Sequence, residues 1–360
     1  MMPIAEILDL ARWAPSGDNT QPWRFAIEAP DRVVVHAFDT RTHCIYDLDG
    51  HPSQLSVGAL LETIALAATR YGLRAHIDRR ADTPNERPVF DVRLSEEPAL
   101  AEDRLVPYII ERRVQRRPLH SRRLTEREKQ DLASSVGEGF KWLWFERPRD
   151  RARVAWLNFA SAKLRLTLPE AYRVHRDVIE WRAKSSERGI PDAALGASAP
   201  TLMLMRWAMV SWERIAFLNR YLAGTVMPRI ELDLVPGLAC AAHCVLVADS
   251  APRGIDDYIA AGRALQRFWL TATRLGLQFQ PQYTPLIFAR YAREGVRFAT
   301  RDGAMGEAQR VRDAVDRLLG HDAAPRAVFA GRIGAGTPAQ SRSSRLSLEL
   351  LMASSSDRKG

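Results

Sequence analysis

An internal repeat is the sequence feature that most constrains the fold of this chain. Residues 56–73 read SVGALLETIALAATRYGL, and residues 260–277 read AAGRALQRFWLTATRLGL. Aligned without gaps, Gly58 matches Gly262, the tripeptide Ala-Thr-Arg recurs at the same offset, and both segments finish with Gly-Leu. Apolar residues at helical spacing, followed by a glycine suited to a left-handed C-cap, predict an α-helix in each copy. The repeat therefore predicts two related halves in one chain.

The predicted elements around each copy repeat as well. Residues 4–13 and 126–135 have the spacing of short amphipathic helices, and aromatic strands follow at residues 23–27 and 142–145. Further strands are predicted at residues 32–37, 90–94, 243–248 and 327–330. We expect an α+β fold with halves at 1–105 and 106–350, a helical insertion at about 152–221 and a disordered tail at 351–360.

The composition is that of an ordinary soluble globular protein. With 46% hydrophobic and 26% charged residues, it excludes collagen-like, disulfide-scaffold and wholly disordered chains. Three cysteines, an odd number, fit a reducing cytoplasm. The first six residues show no signal peptide, and the uncharged run near residues 235–249 is too short to span a bilayer. We therefore expect a cytoplasmic protein with no membrane partner.

The charge balance is basic, with 52 Lys+Arg against 43 Asp+Glu. Arginines are dense only at residues 112–123. Nucleic-acid binding would favour a longer basic stripe with interleaved aromatic residues, and its affinity would fall steeply with salt. Arginine also forms bidentate contacts with phosphate groups. We therefore expect a phosphate-bearing small molecule and no nucleic-acid partner.

The sharpest local motif is residues 14–23, which read APSGDNTQPW. Pro15 ends the preceding helix, and small or polar residues form a turn before the strand that follows Pro22. Such a loop presents backbone N–H groups, the Ser16 hydroxyl and the Asn19 amide, which suit the edge of a heterocycle. A turn that only connects two elements is the alternative interpretation.

Two basic motifs lie in the second half. Residues 112–116 read RRVQR and put three cations on about one helical turn, where the start of a helix would add donors for a phosphate. Residues 341–346 read SRSSRL and follow a strand and a glycine-rich bend. A solvated basic face and a basic linker are the alternative interpretations.

These three motifs resemble those of the FMN-dependent nitroreductase family. Residues 14–23 match its A-P-S-x-x-N-x-Q-P-W signature at every defined position, residues 112–116 are similar to its R-R-S-x-R motif, and residues 341–346 resemble its C-terminal basic motif. The resemblance implies the nitroreductase fold, a central antiparallel sheet wrapped by helices, in which two subunits interlock around FMN. Here Gly17 and Val114 stand where the family has serines.

The resemblance also implies roles for individual residues. Pro15, Ser16 and Asn19 would face the flavin ring, with at most a backbone contact from Gly17. Arg112, Arg342 and Arg345 would hold the phosphate, Arg113 belongs to the same cluster, and Arg116 would reach the N1/O2 edge of the ring. No catalytic side chain beyond the flavin and no metal ligand is predicted.

The distribution of the motifs favours a fused pseudo-dimer with one flavin site. The ring-facing loop lies in the first half and both phosphate motifs lie in the second. This arrangement resembles duplicated nitroreductase-like proteins, which include flavin-sequestering members and members linked to molybdopterin biosynthesis. We expect a monomeric pseudo-dimer or a homodimer.

The implied function is an FMN-dependent oxidoreductase that transfers hydride from NAD(P)H to a small organic acceptor. A non-catalytic flavin-binding or flavin-sequestering protein is one alternative. An FMN-dependent dehydrogenase or oxidase that acts on a biosynthetic intermediate is another. Substrate choice would lie in the insertion, at about residues 169–229.

Three weaker patterns favour structural roles. Cys240 and Cys244 lack a fourth ligand at zinc spacing, so we expect them in the core. The glycines of residues 331–336 do not have the order of a dinucleotide fingerprint. The tryptophans of the insertion are also expected in the core, unless the insertion covers the flavin: Trp156, Trp181, Trp207 and Trp212.

Overall fold

Two four-stranded antiparallel sheets form the body of the protein, and the computed structural model describes residues 3–354. The first sheet is built from one continuous stretch of the chain. Its elements are helix α1 (Ile4–Ala11), strands β1 (Trp23–Ala29) and β2 (Arg32–Ala37), helix α2 (His51–Thr69), and strands β3 (Leu73–Arg79) and β4 (Val89–Glu96). The strand order is β1-β2-β4-β3.

The second sheet is interrupted by the insertion. A short helix α3 (Tyr108–Glu111), helix α4 (Glu126–Ser134) and strand β5 (Phe140–Phe145) come first. The inserted elements follow: α5 (Pro148–Leu166), α6 (Pro169–Val178), β6 (Ile179–Glu180), β7 (Ser185–Ser186), β8 (Ile190–Pro191), α7 (Ala199–Ala208), α8 (Trp212–Tyr221), α9 (Val226–Arg229) and α10 (Val235–Leu238). The insertion is therefore longer at both ends than residues 152–221.

The chain then completes the second sheet. The remaining elements are β9 (Ala242–Ala248), α11 (Ile255–Arg274), β10 (Leu277–Pro281), α12 (Thr284–Glu294), α13 (Ala304–Leu319), β11 (Ala327–Ala335), β12 (Arg342–Ser343) and α14 (Leu348–Leu351). The strand order is β5-β9-β11-β10. If the strands of each sheet are numbered in the order in which they occur along the chain, both sheets have the spatial order first, second, fourth, third.

The repeated glycines lie where the two long helices α2 and α11 cross. A Cβ atom at Gly58 would lie 2.1 Å from the carbonyl oxygen of Ile259, and one at Gly262 would lie 2.1 Å from the carbonyl oxygen of Leu55. Each glycine therefore allows the backbone of the other helix to approach closely. The two contacts are equivalent, because Leu55 lies three positions before Gly58 and Ile259 lies three positions before Gly262. The pattern detected in the sequence is a packing requirement.

The faces of β9 explain why the insertion packs tightly on the second sheet. Alternate side chains of this strand enter different clusters: Ala242, Cys244 and Leu246 pack with α11, whereas Val245 and Val247 pack with α5, α6, α12 and α13. Both faces are therefore buried, which accounts for an apolar run without alternation. Cys240 and Cys244 are fully buried, as the sequence predicted.

Three expectations about local structure were wrong. Strand β11 continues through residues 331–335 instead of ending at residue 330, because these residues pair with β10. A Cβ atom at Gly331 would lie 2.3 Å from the Phe279 ring, so glycine is needed there. Trp156 and Trp207 are 60% and 47% exposed rather than in the core, because they lie on outward faces of the insertion.

The third concerns the tail. Leu351 and Ala353 are buried, and the Ala353 N–H donates to the Phe25 carbonyl of β1 at 2.7 Å. Ala353 covers the outer face of the first sheet beside Ala26 and Val34, whereas Leu351 joins the core on its inner face. The predicted disorder at 355–360 lies outside the described residues. Within residues 3–354, no helix combines the length and apolarity needed to cross a bilayer.

Candidate functional site

A cavity of about 440 Å³ lies where the loop after α1, the segment after α3 and the C-terminal segment meet the insertion. All nine residues predicted to bind the cofactor line it: Pro15, Ser16, Gly17, Asn19, Arg112, Arg113, Arg116, Arg342 and Arg345. The first and last of these residues, Pro15 and Arg345, are more than 300 positions apart in sequence, so the fold brings the set together. The volume is typical of a site for a small molecule or cofactor.

The loop after α1 has an unusual backbone that its neighbours hold in place. Asp18, Asn19 and Gln21 have φ values of 51°, 61° and 48°, in the left-handed region that non-glycine residues seldom adopt. The Ser16 hydroxyl accepts a hydrogen bond from the Gln21 N–H at 3.0 Å, and the Gly17 N–H donates to the Ser56 hydroxyl at 3.4 Å. Conformations of this kind concentrate at functional sites.

Asn19 connects the loop to the insertion and still presents one unpaired atom. Its side-chain Nδ2 donates to the carbonyls of Glu187 at 3.0 Å and Ser344 at 3.2 Å. Its Oδ1 is buried and has no hydrogen-bond partner within the described part of the chain. A buried acceptor that lines a cavity and lacks a donor is suited to a donor group on a ligand.

Gln21 is a structural residue of the site to which the sequence interpretation gave no role. Its Nε2 donates to the Glu187 carbonyl at 2.8 Å, and its Oε1 accepts from the Leu346 N–H at 2.9 Å. One side chain thus joins the loop, the insertion and the C-terminal segment. Its place in the APSGDNTQPW motif was the available signal.

Three arginines form a cationic group at the cavity wall. The Nη2 atom of Arg112 donates to the Trp13 carbonyl at 2.9 Å, and Nε of Arg345 donates to the Ala14 carbonyl at 3.0 Å. Arg342 donates to the Ile110 carbonyl. Among the residues that the structure describes, none of the three forms an ion pair, and Nε of Arg112 is buried without a partner. We call Arg112, Arg342 and Arg345 the open arginine group.

Burial makes this open arginine group electrostatically costly. Burial lowers the pKa of Arg112 well below its ordinary value, and the neighbouring charges of Arg345 and Arg342 lower it further. Burial, followed by the charge of Arg342, lowers the pKa of Arg345 to about 9. Arginine stays protonated in proteins, so these directions indicate that an anion would stabilise the group.

The segment 112–116 does not start a helix, contrary to the sequence expectation. Arg112 follows the end of α3, and Val114 forms a parallel bridge with Phe279 of β10. The fully buried Arg332 donates to the carbonyls of Arg116 and Arg117, both at 2.8 Å, and so holds the segment extended. No helix N-terminus therefore contributes donors here, and the arginine side chains alone supply the charge.

A second set of charges in the cavity is internally balanced. The strongest electrostatic partners of Arg116 are Asp18 and Arg165, and Arg165 lies 3.5 Å from the carboxylate of Asp233. Burial raises the pKa of Asp18 and of Asp233, and the nearby arginines oppose the rise. We call Arg116, Arg165, Asp18 and Asp233 the balanced group. Arg113 belongs to neither group and donates to the Ala339 carbonyl at 2.9 Å.

A tyrosine and a histidine that the sequence analysis did not identify also line the cavity. The Tyr46 hydroxyl and His175 Nε2 are 3.0 Å apart, and the two rings stack with centroids 5.8 Å apart. Burial, followed by the charge of Arg165, lowers the pKa of His175 to about 3, so the ring is neutral at physiological pH. No sequence pattern linked these residues, because they are 129 positions apart.

The insertion provides a large part of the apolar wall. Its lining side chains include Leu166 of α5, Val178 of α6, Ile179 of β6, Met205 of α7 and Met209, which follows α7. Trp269 of α11 and Phe329 of β11 also line the cavity. Of the insertion tryptophans, none lines the cavity within residues 3–354. In the same part of the chain, no cluster of His, Cys, Asp and Glu side chains is arranged to hold a metal ion.

Comparisons with known proteins find similarity in solved structures only. A nitroreductase-like family protein from Bacillus cereus has a TM-score of 0.35 and 14% identity, over 70% of this chain and 96% of its own. A nitroreductase-type protein from Anabaena variabilis has a TM-score of 0.41 and 12% identity, over 85% of this chain and 69% of its own. No protein-family model matches the sequence, and no curated protein matches it.

Proposed function

We propose that this protein is an FMN-dependent oxidoreductase that transfers hydride from NAD(P)H to a small organic acceptor. The observation that carries the proposal is the open arginine group, which shares one cavity with the loop of residues 14–23. Three neighbouring guanidinium groups without a carboxylate repel one another, and an anion bound among them would relieve this repulsion. A phosphate monoester fits, because arginine binds its oxygens in bidentate geometry.

The two charge groups fit the two ends of FMN. Arg112, Arg342 and Arg345 would hold the phosphate, and each charged hydrogen bond would contribute about 1.5–3 kcal/mol. Arg116, whose nearest charges belong to the balanced group, would lie beside the ring. The unpaired Oδ1 of Asn19 would accept a hydrogen bond from the ring edge. When bound, the flavin supplies the capacity to accept and release a hydride, while the protein orients both substrates.

We further propose that the chain is an internally duplicated pseudo-dimer. The equal strand orders of the two sheets and the reciprocal glycine contacts of α2 and α11 support this proposal. The loop would come from one half and the phosphate-binding arginines from the other, so one site would form in each chain. A monomer would then be sufficient for flavin binding.

A flavin-binding protein without turnover is the second candidate. The observation that favours it is the set of hydrogen bonds from Asn19 and Gln21 to the carbonyl of Glu187, which tie the insertion directly across the loop. An insertion held in this way would restrict access of NAD(P)H to the ring.

An absorbance spectrum of the purified protein tests both candidates. Flavin bands that bleach on anaerobic addition of NADPH or NADH would support the oxidoreductase. Bands that persist with both nucleotides and bleach with dithionite would support a sequestering protein, or a dehydrogenase reduced by another substrate. A protein that contains no flavin and takes up none on reconstitution would contradict the proposal.

A further inference from the structure

The Tyr46–His175 pair lies in the cavity but has no part in holding a flavin phosphate. Tyr46 belongs to the loop before α2, and His175 belongs to α6 of the insertion. Their hydrogen bond of 3.0 Å joins two groups that can both donate and accept a proton. The pair therefore places a titratable centre against the space where a second ligand would bind.

The loop that carries Tyr46 is already fixed without this hydrogen bond. The Asp47 carboxylate accepts from the Thr40 N–H at 2.8 Å and from the Ser53 hydroxyl at 2.6 Å. The hydroxyl of Tyr291 donates to the Ile45 carbonyl at 3.1 Å and accepts from the Leu48 N–H at 2.9 Å. Tyr46 is thus held on both sides by other residues, and its hydroxyl is not needed to close the loop.

The surroundings of the pair favour an uncharged ligand. The balanced group compensates its own charges, since Arg116 and Arg165 face Asp18 and Asp233. The same helices that carry Arg165 and His175 contribute apolar side chains, including Leu166 and Val178. A molecule that binds here would bury apolar surface and meet one polar pair, in contrast to the anion that the open arginine group requires.

We propose that Tyr46 is the proton donor of a substrate subsite for an uncharged conjugated carbonyl compound, and that His175 positions and supports it. This inference rests on the proposed function, which supplies the hydride. Reduction of a quinone to a hydroquinone consumes one hydride and one proton. The Tyr46 O–H bond breaks as a new O–H bond forms on the substrate oxygen, and solvent later returns the proton.

Arg165 and His175 support this role. Burial raises the pKa of Tyr46 and so makes the hydroxyl a weaker acid, whereas Arg165 opposes the rise by favouring the phenolate. The nearby charge of Asp18 raises the pKa further. A neutral His175 with its proton on Nε2 donates to the Tyr46 oxygen and stabilises the phenolate as it forms.

The test compares two electron acceptors on the flavin-loaded protein after reduction with NADPH. Menadione requires a proton for two-electron reduction, whereas ferricyanide takes electrons without one. For Tyr46→Phe, we expect reoxidation of the flavin by menadione to slow about 100-fold, as for loss of a general acid. Reoxidation by ferricyanide should stay within about twofold of the wild type, because a general acid is not used in that step.

Two further variants separate proton donation from packing. Tyr172→Phe removes a hydroxyl from α6, the helix that carries His175, and should leave both rates unchanged, since Tyr172 does not line the cavity. His175→Gln should slow the menadione step less than Tyr46→Phe and change its pH profile. In D2O, reoxidation of the wild-type flavin by menadione should slow at least twofold more than reoxidation by ferricyanide. In Tyr46→Phe, D2O should affect the two rates equally.

Three outcomes would overturn the inference: equal rates for Tyr46→Phe and the wild type, equal slowing with both acceptors, or a matching loss in Tyr172→Phe. If NADPH does not reduce the flavin, the proposed function fails. The substrate subsite is then tested separately by calorimetric measurement of menadione binding. Menadione titrated into flavin-free protein should bind at least fivefold more weakly to Tyr46→Phe than to the wild type. Equal binding would reject the subsite.

Discussion

The two charge groups of the cavity differ in one respect that decides what each can do. The open arginine group donates to backbone carbonyls, leaves Nε of Arg112 unpaired and has no carboxylate among the described residues. The balanced group contains two arginines and two carboxylates that compensate one another. A set of like charges that is buried in this way is prepared for an incoming anion. A compensated set can serve an uncharged molecule.

The largest effect is expected from removal of the open group. Arg112→Ala combined with Arg345→Ala should weaken FMN binding at least about 100-fold, because two charged hydrogen bonds to phosphate are lost. The measurement is flavin content after gel filtration, followed by fluorescence titration. Removal of uncompensated buried charge should offset the loss of the hydrogen bonds to the Trp13 and Ala14 carbonyls, so the unfolding free energy should change by less than about 2 kcal/mol. Arg117→Ala, an exposed neighbour in the same basic run, is the matched control. Stoichiometric flavin in the double variant would reject the assignment.

A smaller effect is expected when one arginine is removed from the balanced group, so that its carboxylates outnumber its cations. Arg165→Met leaves Asp233 and Asp18 without their shared partner and should lower the unfolding free energy by about 1–2 kcal/mol, since the ion pair is partly buried. Urea denaturation measures the change. Adding Asp233→Asn should restore most of the loss. If the two substitutions instead add independently, the groups do not compensate each other.

The pH dependence of stability sharpens the comparison further. The pKa of His175 falls from an ordinary value of 6.5 to about 3 on folding, so only the unfolded chain gains this proton as the pH drops below 6.5. Stability contributed by the neutral ring is present above pH 6.5 and lost toward pH 3, by up to about 1.4 kcal/mol per pH unit. His175→Gln should reduce this slope between pH 6.5 and 4. The carboxylates are common to both proteins, so an unchanged slope would mean that His175 is protonated in the folded state.

The smallest effect is expected at the ring-facing loop. Asn19→Gly removes the unpaired Oδ1 and tolerates the positive φ of this position, which alanine would not. We expect a small shift of the visible flavin bands, while FMN affinity falls at most about tenfold through loss of one neutral hydrogen bond. An unaltered spectrum at full occupancy would show that Asn19 does not contact the ring.

The sequence predicted those parts of the site that depend on short, contiguous motifs. The strands at residues 23–27, 32–37 and 243–248, the helices of the repeat, and the burial of Cys240 and Cys244 agree with the structure. The nine predicted binding residues share one cavity. Their predicted contacts with FMN stay predictions.

The errors and omissions come from long-range contacts. Residues 112–116 were expected at the start of a helix, but Arg332 and Phe279 hold them extended from the second sheet. Tyr46, Arg165 and Asp233 were not identified, because the insertion folds back over a distant loop. A pattern of adjacent residues contains no information about such contacts. The glycines of the repeat were informative because the same close helix crossing constrains both copies.

The return of the C-terminal segment to β1 has a consequence for the order of biosynthesis. Arg345 contacts Ala14 across 331 positions, and Ala353 bonds to Phe25 after the last helix. The first half therefore leaves the ribosome long before its cavity wall and the cover of its outer sheet face exist. Loading of the cavity must wait until residue 345 has been synthesised, which makes ligand capture late relative to the synthesis of the first half.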